Sequence, residues 1–242
     1  MREDKYAGAA FILGVCLIVA ALVLSGTWRA NKKLDQTINV VGSAKKEIVS
    51  DFGTFRCAVR GESPTPAASW QQLQAAKPKL FAYLQEQGVP ADQVRPLPVT
   101  TYAVPEFNEQ GRETGRTVKV VTTQRFEVQS TDVKKVEQLA LGVAALVEQG
   151  VLVEPETPEY HYSGLSELKV EVQALAAQDA MERARRIAAA SGAKLGDIRS
   201  ARMGVLQITP RHSNMGSDYG VNDLSSIEKE ITAVVSASSA LR

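Results

Sequence analysis

The residues able to do chemistry are few and scattered. His161 and His212 are the only histidines, Cys16 and Cys57 the only cysteines, and Asp218, Asn222 and Asp223 share one loop. An imidazole ligates metals or moves protons near neutral pH, but a metal centre needs several converging donors. The sequence places no such partners beside His161, in Tyr160-His161-Tyr162, or beside His212, in the loop Pro210 to Ser226. Asp218, Asn222 and Asp223 in Ser-Asp-Tyr-Gly-Val-Asn-Asp-Leu could gather oxygen ligands for calcium. The spacing is not that of an EF-hand, because the glycine is misplaced and Lys229 stands where the bidentate glutamate belongs. Turn formation and subunit contact are the expected roles of this loop. No serine lies in a nucleophile-elbow pattern and no glycine-rich phosphate loop occurs. The expectation is a protein that is not an enzyme, with no catalytic, cofactor-binding or metal-binding residue.

Cys57 alternates with Phe55 and Val59 and reads as a core residue, away from Thr54, Arg56 and Arg60. A reactive thiol would want exposure and a positive neighbour on its own face. Cys16 lies within an uncharged apolar stretch from Ala7 to Thr27, so the two cysteines define no disulfide framework. Asp51, after Ser50 at the start of a strand, is expected to accept local backbone hydrogen bonds and to serve fold integrity.

The apolar stretch decides where such residues would work. At about 1.5 Å per residue it would span roughly 31 Å, close to the hydrocarbon thickness of a bilayer. It predicts a transmembrane anchor at 7–28, with a cytoplasmic N-terminus at 1–6, a linker at 29–36 and an extracytoplasmic domain at 37–242. The alternative is a cleaved signal peptide, for which Val23-Leu24-Ser25 would make the site. Charge counting does not settle orientation, since Arg2 and Lys5 precede the stretch while Arg29, Lys32 and Lys33 follow it. A short N-terminus ahead of a long domain nevertheless favours export. With 28 Lys and Arg against 27 Asp and Glu there is no field to attract nucleic acid.

About 205 residues from Thr37 onward suffice for one large or two small globular units. Strands are predicted at Thr37–Val41 and about Ile48–Glu62, separated by a break at Gly42-Ser43. Thr65-Pro66 opens a helix carrying Trp70, Leu73, Leu80, Phe81 and Leu84, stopped by Gly88. Gln93–Pro105 holds three prolines and fits an edge strand. After the polar loop Asn108–Gly115, the strand Thr117–Gln129 should bury Val118, Val120, Phe126 and Val128 and wet the face bearing Thr123, Arg125 and Glu127. A helix capped at Ser130–Asp132 presents Val133, Val136, Leu139, Ala140, Val143 and Val147 before Gly150. An extended segment Pro158–Tyr162 leads into the longest helix, Ser166–Ser191. Its seam is Val172, Leu175, Ala176, Ala180, Ala184, Ile187 and Ala188, with Glu182 and Arg186 paired on the surface. Strands Ile198–Thr209 and Ile227–Ala240 flank the loop Pro210–Ser226. This order predicts α+β, a mixed or antiparallel sheet packed on one side by three helices.

The same succession resembles the SIMPL-domain family of secreted or membrane-tethered bacterial proteins. The resemblance rests on Ile38–Gly42 followed by Ile48-Val49-Ser50-Asp51, and on Phe126-Glu127-Val128 leading into Thr131-Asp132-Val133. It rests further on Ala176–Ser191 running into Gly192-Ala193-Lys194-Leu195-Gly196, and on the terminal strand Lys229–Ala237. It implies an exported α+β protein, often a ring-like or channel-like homo-oligomer, with some members associated with resistance to oxidative stress. It supplies no catalytic residues. The expected function is therefore a bacterial inner-membrane protein, its domain in the periplasm, that self-assembles as a scaffold in envelope stress defence. The alternative is a docking module that binds another envelope protein through 210–226; a metal-binding protein or enzyme ranks below both.

Overall fold

The computed structural model describes residues 14–26 and 36–242. Residues 14–26 form a helix, α1, with Leu17, Leu22 and Leu24 exposed. The remainder of the expected anchor, the expected N-terminus 1–6 and most of the expected linker lie outside the described residues. Among the described residues no helix is long and apolar enough to cross a membrane. The described chain from Gln36 is α+β, and its contacts divide it into two units. From Gln36 on, one comprises the residues up to Lys45 with Lys169–Leu206 and Thr232–Arg242, the other Lys46–Leu168 and Gln207–Ile231.

The larger unit is built on β2 (Phe52–Ser63), β3 (Val94–Phe107), β4 (Glu113–Ser130), β5 (Leu152–Pro155) and β6 (Glu159–His161). They form a sheet of order β3-β4-β2-β5, with β6 also on β2, and every pairing in it is antiparallel. β3 is an edge strand, as its prolines require, and its register slips at Pro96/Val99 and on both sides of Pro105. Phe55, Cys57 and Val59 from β2 and Phe126 and Val128 from β4 are buried against two helices, α2 (Pro66–Glu86) and α3 (Val133–Gly142). α2 begins as its sequence predicts, the Thr65 hydroxyl accepting from the Ala68 amide at 3.4 Å with proline in the first turn. Its buried row is Ser69, Leu73, Ala76, Leu80 and Leu84, whereas Trp70 is exposed.

Three expectations for this unit need correction. The outer face of β4 is wet only in part: Arg125 and Gln129 are exposed, but Thr123 and Glu127 are buried, and on the other face Val118 is exposed beyond the end of β2. The stripe of α3 does not run to Val147, because the α-helix tightens after Gly142 into a 3₁₀ segment, Val143–Gln149. The tighter turn brings Leu146 into the core in place of Val147. The first two strands are also not parted at Gly42-Ser43. The break falls at Ser50-Asp51, where the Ser50 amide donates to the Ile227 carbonyl at 2.9 Å and the Asp51 amide to that of His161 at 3.0 Å. With their amides drawn to different segments, the strands enter two five-stranded sheets instead of the one expected.

The second sheet has the order β1-β10-β8-β9, with β7 on β10. Its strands are β1 (Thr37–Val49), β7 (Leu195–Met203), β8 (Gln207–Pro210), β9 (Val221–Asn222) and β10 (Glu228–Leu241). The expected strand Ile198–Thr209 is split between β7 and β8, and the expected loop 210–226 contains β9, which pairs with β8 in parallel. In the smaller unit β1 continues through Gly42, contrary to the predicted break. A Cβ at Gly42 would lie 2.2 Å from the Ala180 nitrogen and 2.4 Å from the Ala176 carbonyl oxygen, so the glycine marks a close approach to α4 (Leu165–Ala190). That approach admits one row of small side chains. Val172, Ala176, Ala180, Ala184 and Ala188 are fully buried at strict four-residue spacing, whereas Leu175 and Ile187 of the predicted seam are exposed. The Glu182–Arg186 pair forms at 2.8 Å, and Gly192 takes the left-handed conformation that ends the helix (φ 75°).

Candidate functional site

The most buried charged side chain among the described residues, Lys229, is the centre of a polar cluster in the larger unit. Alternation along β10 turns Lys229, Ile231, Ala233, Val235 and Ala237 to the buried side, and Lys229 is 3% exposed. Its ammonium donates to the carbonyls of Tyr160 and Asp223, each at 2.6 Å. Those acceptors are held by other bonds: the Tyr160 amide donates to the Leu224 carbonyl at 2.7 Å and the Asp223 amide to that of Ile208 at 2.9 Å. Burial pushes the Lys229 amine below the usual lysine range, an effect opposed by the charge of Asp223. Burial also disfavours the Asp223 carboxylate. The hydroxyl and amide of Ser225, a bond from Ser226 and the Lys229 charge more than compensate, so Asp223 stays below the usual carboxylate range.

A cavity of about 60 Å³ adjoins the lysine, lined by Tyr160, His161, Tyr162, Asn222 and Leu224 among others. It has room for a water or two, against roughly 300 Å³ or more for a small-molecule site. The Lys229 cluster is a clasp that ties β6 to the 221–224 segment by charge-assisted bonds. Replacing Lys229 by methionine keeps the stem and leaves two carbonyls without a donor. Urea unfolding of that variant should show a loss of about 2 kcal/mol, part of the penalty being offset by removal of a buried charge.

The residues singled out by type are dispersed. His161, on β6, is half-exposed, its Nε2 3.8 Å from a Glu159 carboxylate oxygen. His212 is exposed in a left-handed turn (φ 60°). Asp218 is exposed, Asn222 belongs to β9, and the Asp223 side chain is turned onto its own Ser225-Ser226 segment, so the three form no shared oxygen cage. Among the described residues no group of three or more His, Cys, Asp or Glu is placed to hold a metal. Cys57 is buried in the core, and burial, with the nearby Glu156 charge, pushes its thiol up to about 12. Asp51 accepts bonds from Ser163, far along the chain, instead of from local backbone alone. The Ser163 hydroxyl is the main reason its carboxyl lies below the usual range.

Type and spacing also miss a charged network across β2, β4 and β6. Glu127 is held by Arg56 at 2.8 Å and by the Gln129 amide at 3.0 Å, while Arg56 reaches Glu159 at 2.9 Å. Arg56 and Glu127 are register partners, a fact invisible until the pairing of β2 with β4 is known. Lys229 was open to detection, since it falls at an inward position of an otherwise apolar alternation.

Two five-stranded sheets, helices on each unit and a structural lysine clasp define an α+β domain built around packing. The chain belongs to the SIMPL family, described as a protein of unknown function (DUF541), whose model matches residues 38–238. No curated protein matches it. Among solved structures it is similar to a putative amidohydrolase/peptidase from Burkholderia cenocepacia, at 14% identity and a TM-score of 0.25 over 51% of this chain and 31% of that one. A putative aminohydrolase from methicillin resistant Staphylococcus aureus is similar at 16% identity and a TM-score of 0.23, over 51% of this chain and 32% of that one. The chain thus spans about a third of the length of these structures, and likenesses of this size carry no argument about its fold or activity.

Proposed function

We propose that the protein is a non-enzymatic bacterial envelope component, anchored in the inner membrane by the 7–28 stretch, whose domain self-assembles into a scaffold. The observation that carries this reading is the β3–β4 hairpin. β2 pairs with β4 only from Val120 to Ser130, so beyond Val104 and Lys119 the hairpin is a two-stranded arm. Two strands alone are marginal in water, and this arm exposes Phe107 and Val118, with Tyr102 exposed at its base. Its edge strand β3 has free backbone groups along one side. A second copy of the chain would cover both features. Tethering by a short linker confines copies to a plane and raises their effective concentration. The small cavity beside Lys229 supports a structural role over turnover.

Native mass spectrometry of the full chain in detergent micelles should show a homo-oligomer. Replacing residues 106–116 with Asn-Gly should reduce it to a monomer with an unchanged circular dichroism spectrum. A wild-type chain that stays monomeric at every concentration overturns the reading. A second reading rests on the loop after β8, where Tyr219 is 97% exposed and Met215 is 62% exposed. There the protein docks another envelope protein, and replacing Met215 and Tyr219 by serine, which leaves β9 and the Lys229 clasp in place, removes that partner from co-purification while the oligomer persists.

A further inference from the structure

The smaller unit carries a groove of about 320 Å³ across β1, β10 and β7. Val40 and Ala237 pack with Ala180 and Ala184 of α4, so alternation turns Asn39 and Val41 of β1 and Ser236 and Ser238 of β10 to the opposite face. Register places Arg202 opposite Ser236 and Ser200 opposite Ser238, on that same face. Six side chains therefore converge on the groove: one guanidinium, three hydroxyls, one amide and the exposed Val41. Elsewhere in this unit Arg183, Arg186 and Arg242 each hold a carboxylate. Arg202, like Arg199 on the same strand, makes no ion pair among the described residues, and it is the one of the two that lines the groove.

The geometry points to a binding site for an anionic sugar unit of monosaccharide size. One guanidinium fork suits a single oxyanion, carboxylate or phosphate, which it can take in two parallel hydrogen bonds. Four neutral hydrogen-bonding side chains suit the several hydroxyls of a sugar, and Val41 offers an apolar contact for its C–H face. The volume lies at the lower end of small-molecule sites, which begin at roughly 300 Å³. A bare anion would leave most of the groove unfilled, and a neutral sugar would leave Arg202 unused. The site is independent of the hairpin arm and does not depend on assembly.

Calorimetric titration of the full chain, in a detergent without a sugar headgroup, separates these possibilities. Glucuronate or glucose 6-phosphate should bind at least tenfold more tightly than glucose and than inorganic phosphate. Tighter binding of the first identifies a carboxylate ligand, and of the second a phosphate ligand. Arg202→Gln, an exposed change, should weaken the anionic sugar at least tenfold, and Ser236→Ala should weaken it severalfold. Equal affinity for glucose or for inorganic phosphate, an unchanged affinity in Arg202→Gln, or no heat from either anionic sugar would overturn the assignment.

Discussion

Gly42→Ala should destabilise the protein by about 3 kcal/mol or more, the size expected when a tightly packed contact is overfilled. In an ordinary strand the same change stabilises by up to about 1 kcal/mol, because alanine restricts the unfolded chain. At Gly42 the added methyl would sit 2.2 Å from the Ala180 nitrogen, 2.4 Å from the Ala176 oxygen and 2.6 Å from the Ala180 Cα. All three are helix backbone atoms, so no side-chain rotation relieves the clash. α4 must move off β1, and the contacts of Val40, Ala180, Ala184 and Ala237 loosen with it. The bond from the Ser43 amide to Asp179, 2.8 Å long, also breaks. Urea unfolding of the full chain measures the loss. Gly216→Ala serves as the control, since nothing lies within 4 Å of a Cβ there, and it should stay within about 0.5 kcal/mol of wild type. Equal stability of Gly42→Ala and wild type would show that α4 has room to spare.

Alkaline solutions should destabilise the larger unit through Cys57. Its thiol is pushed from the ordinary 9.0 up to about 12, first by burial and then by the Glu156 charge. The unfolded chain therefore loses this proton at lower pH than the folded chain does. Below pH 9.0 both states hold it and there is no effect; above, stability falls by about 1.4 kcal/mol per pH unit until the folded-state value is reached. Full titration amounts to a loss of about 4 kcal/mol. Lys229 acts in the opposite sense: with its folded value depressed, the native state sheds its proton first, and stability rises as pH climbs toward 10.5. The effect of Cys57 is isolated by difference. Wild type and Cys57→Ala are unfolded in urea from pH 8 to pH 11, and the gap between them should change by about 1.4 kcal/mol per unit above pH 9. A constant gap would mean that the thiolate is reached by solvent in the folded state.

Local signals were legible where residue type and neighbours suffice. The Thr65-Pro66 start of α2, the Asp132 cap of α3, the Gly192 stop of α4 and the edge position of β3 all follow from groups within a few residues of one another. The alternation of Phe55, Cys57 and Val59 identified an inward face for the same reason. The likeness to the SIMPL family was carried by segments of this kind, and the family match over residues 38–238 bears it out. Where distant segments meet, the local reading failed. Gly42 looked like a break because glycine is permissive, yet its partner is a helix backbone more than a hundred residues away in sequence. Glu127 looked like a solvated charge until register placed Arg56 opposite it. Asp51 looked locally bonded, and its main partner is Ser163.

The sequence by itself determined most of the element types, the caps, the inward face of β2 and the family, because those depend on short-range backbone preferences and on side-chain periodicity. It also set out the uncharged stretch from Ala7 to Thr27, a property of composition alone. Only the tertiary structure decided that the strands part at Ser50-Asp51 into two sheets, and that Lys229 clasps Tyr160 and Asp223. It alone brought Arg202 to a groove shared with Asn39, Ser236 and Ser238. Each of these depends on which distant segment satisfies a buried amide, carbonyl or charge, and the number of segments able to do so is too large for local pattern to choose among them.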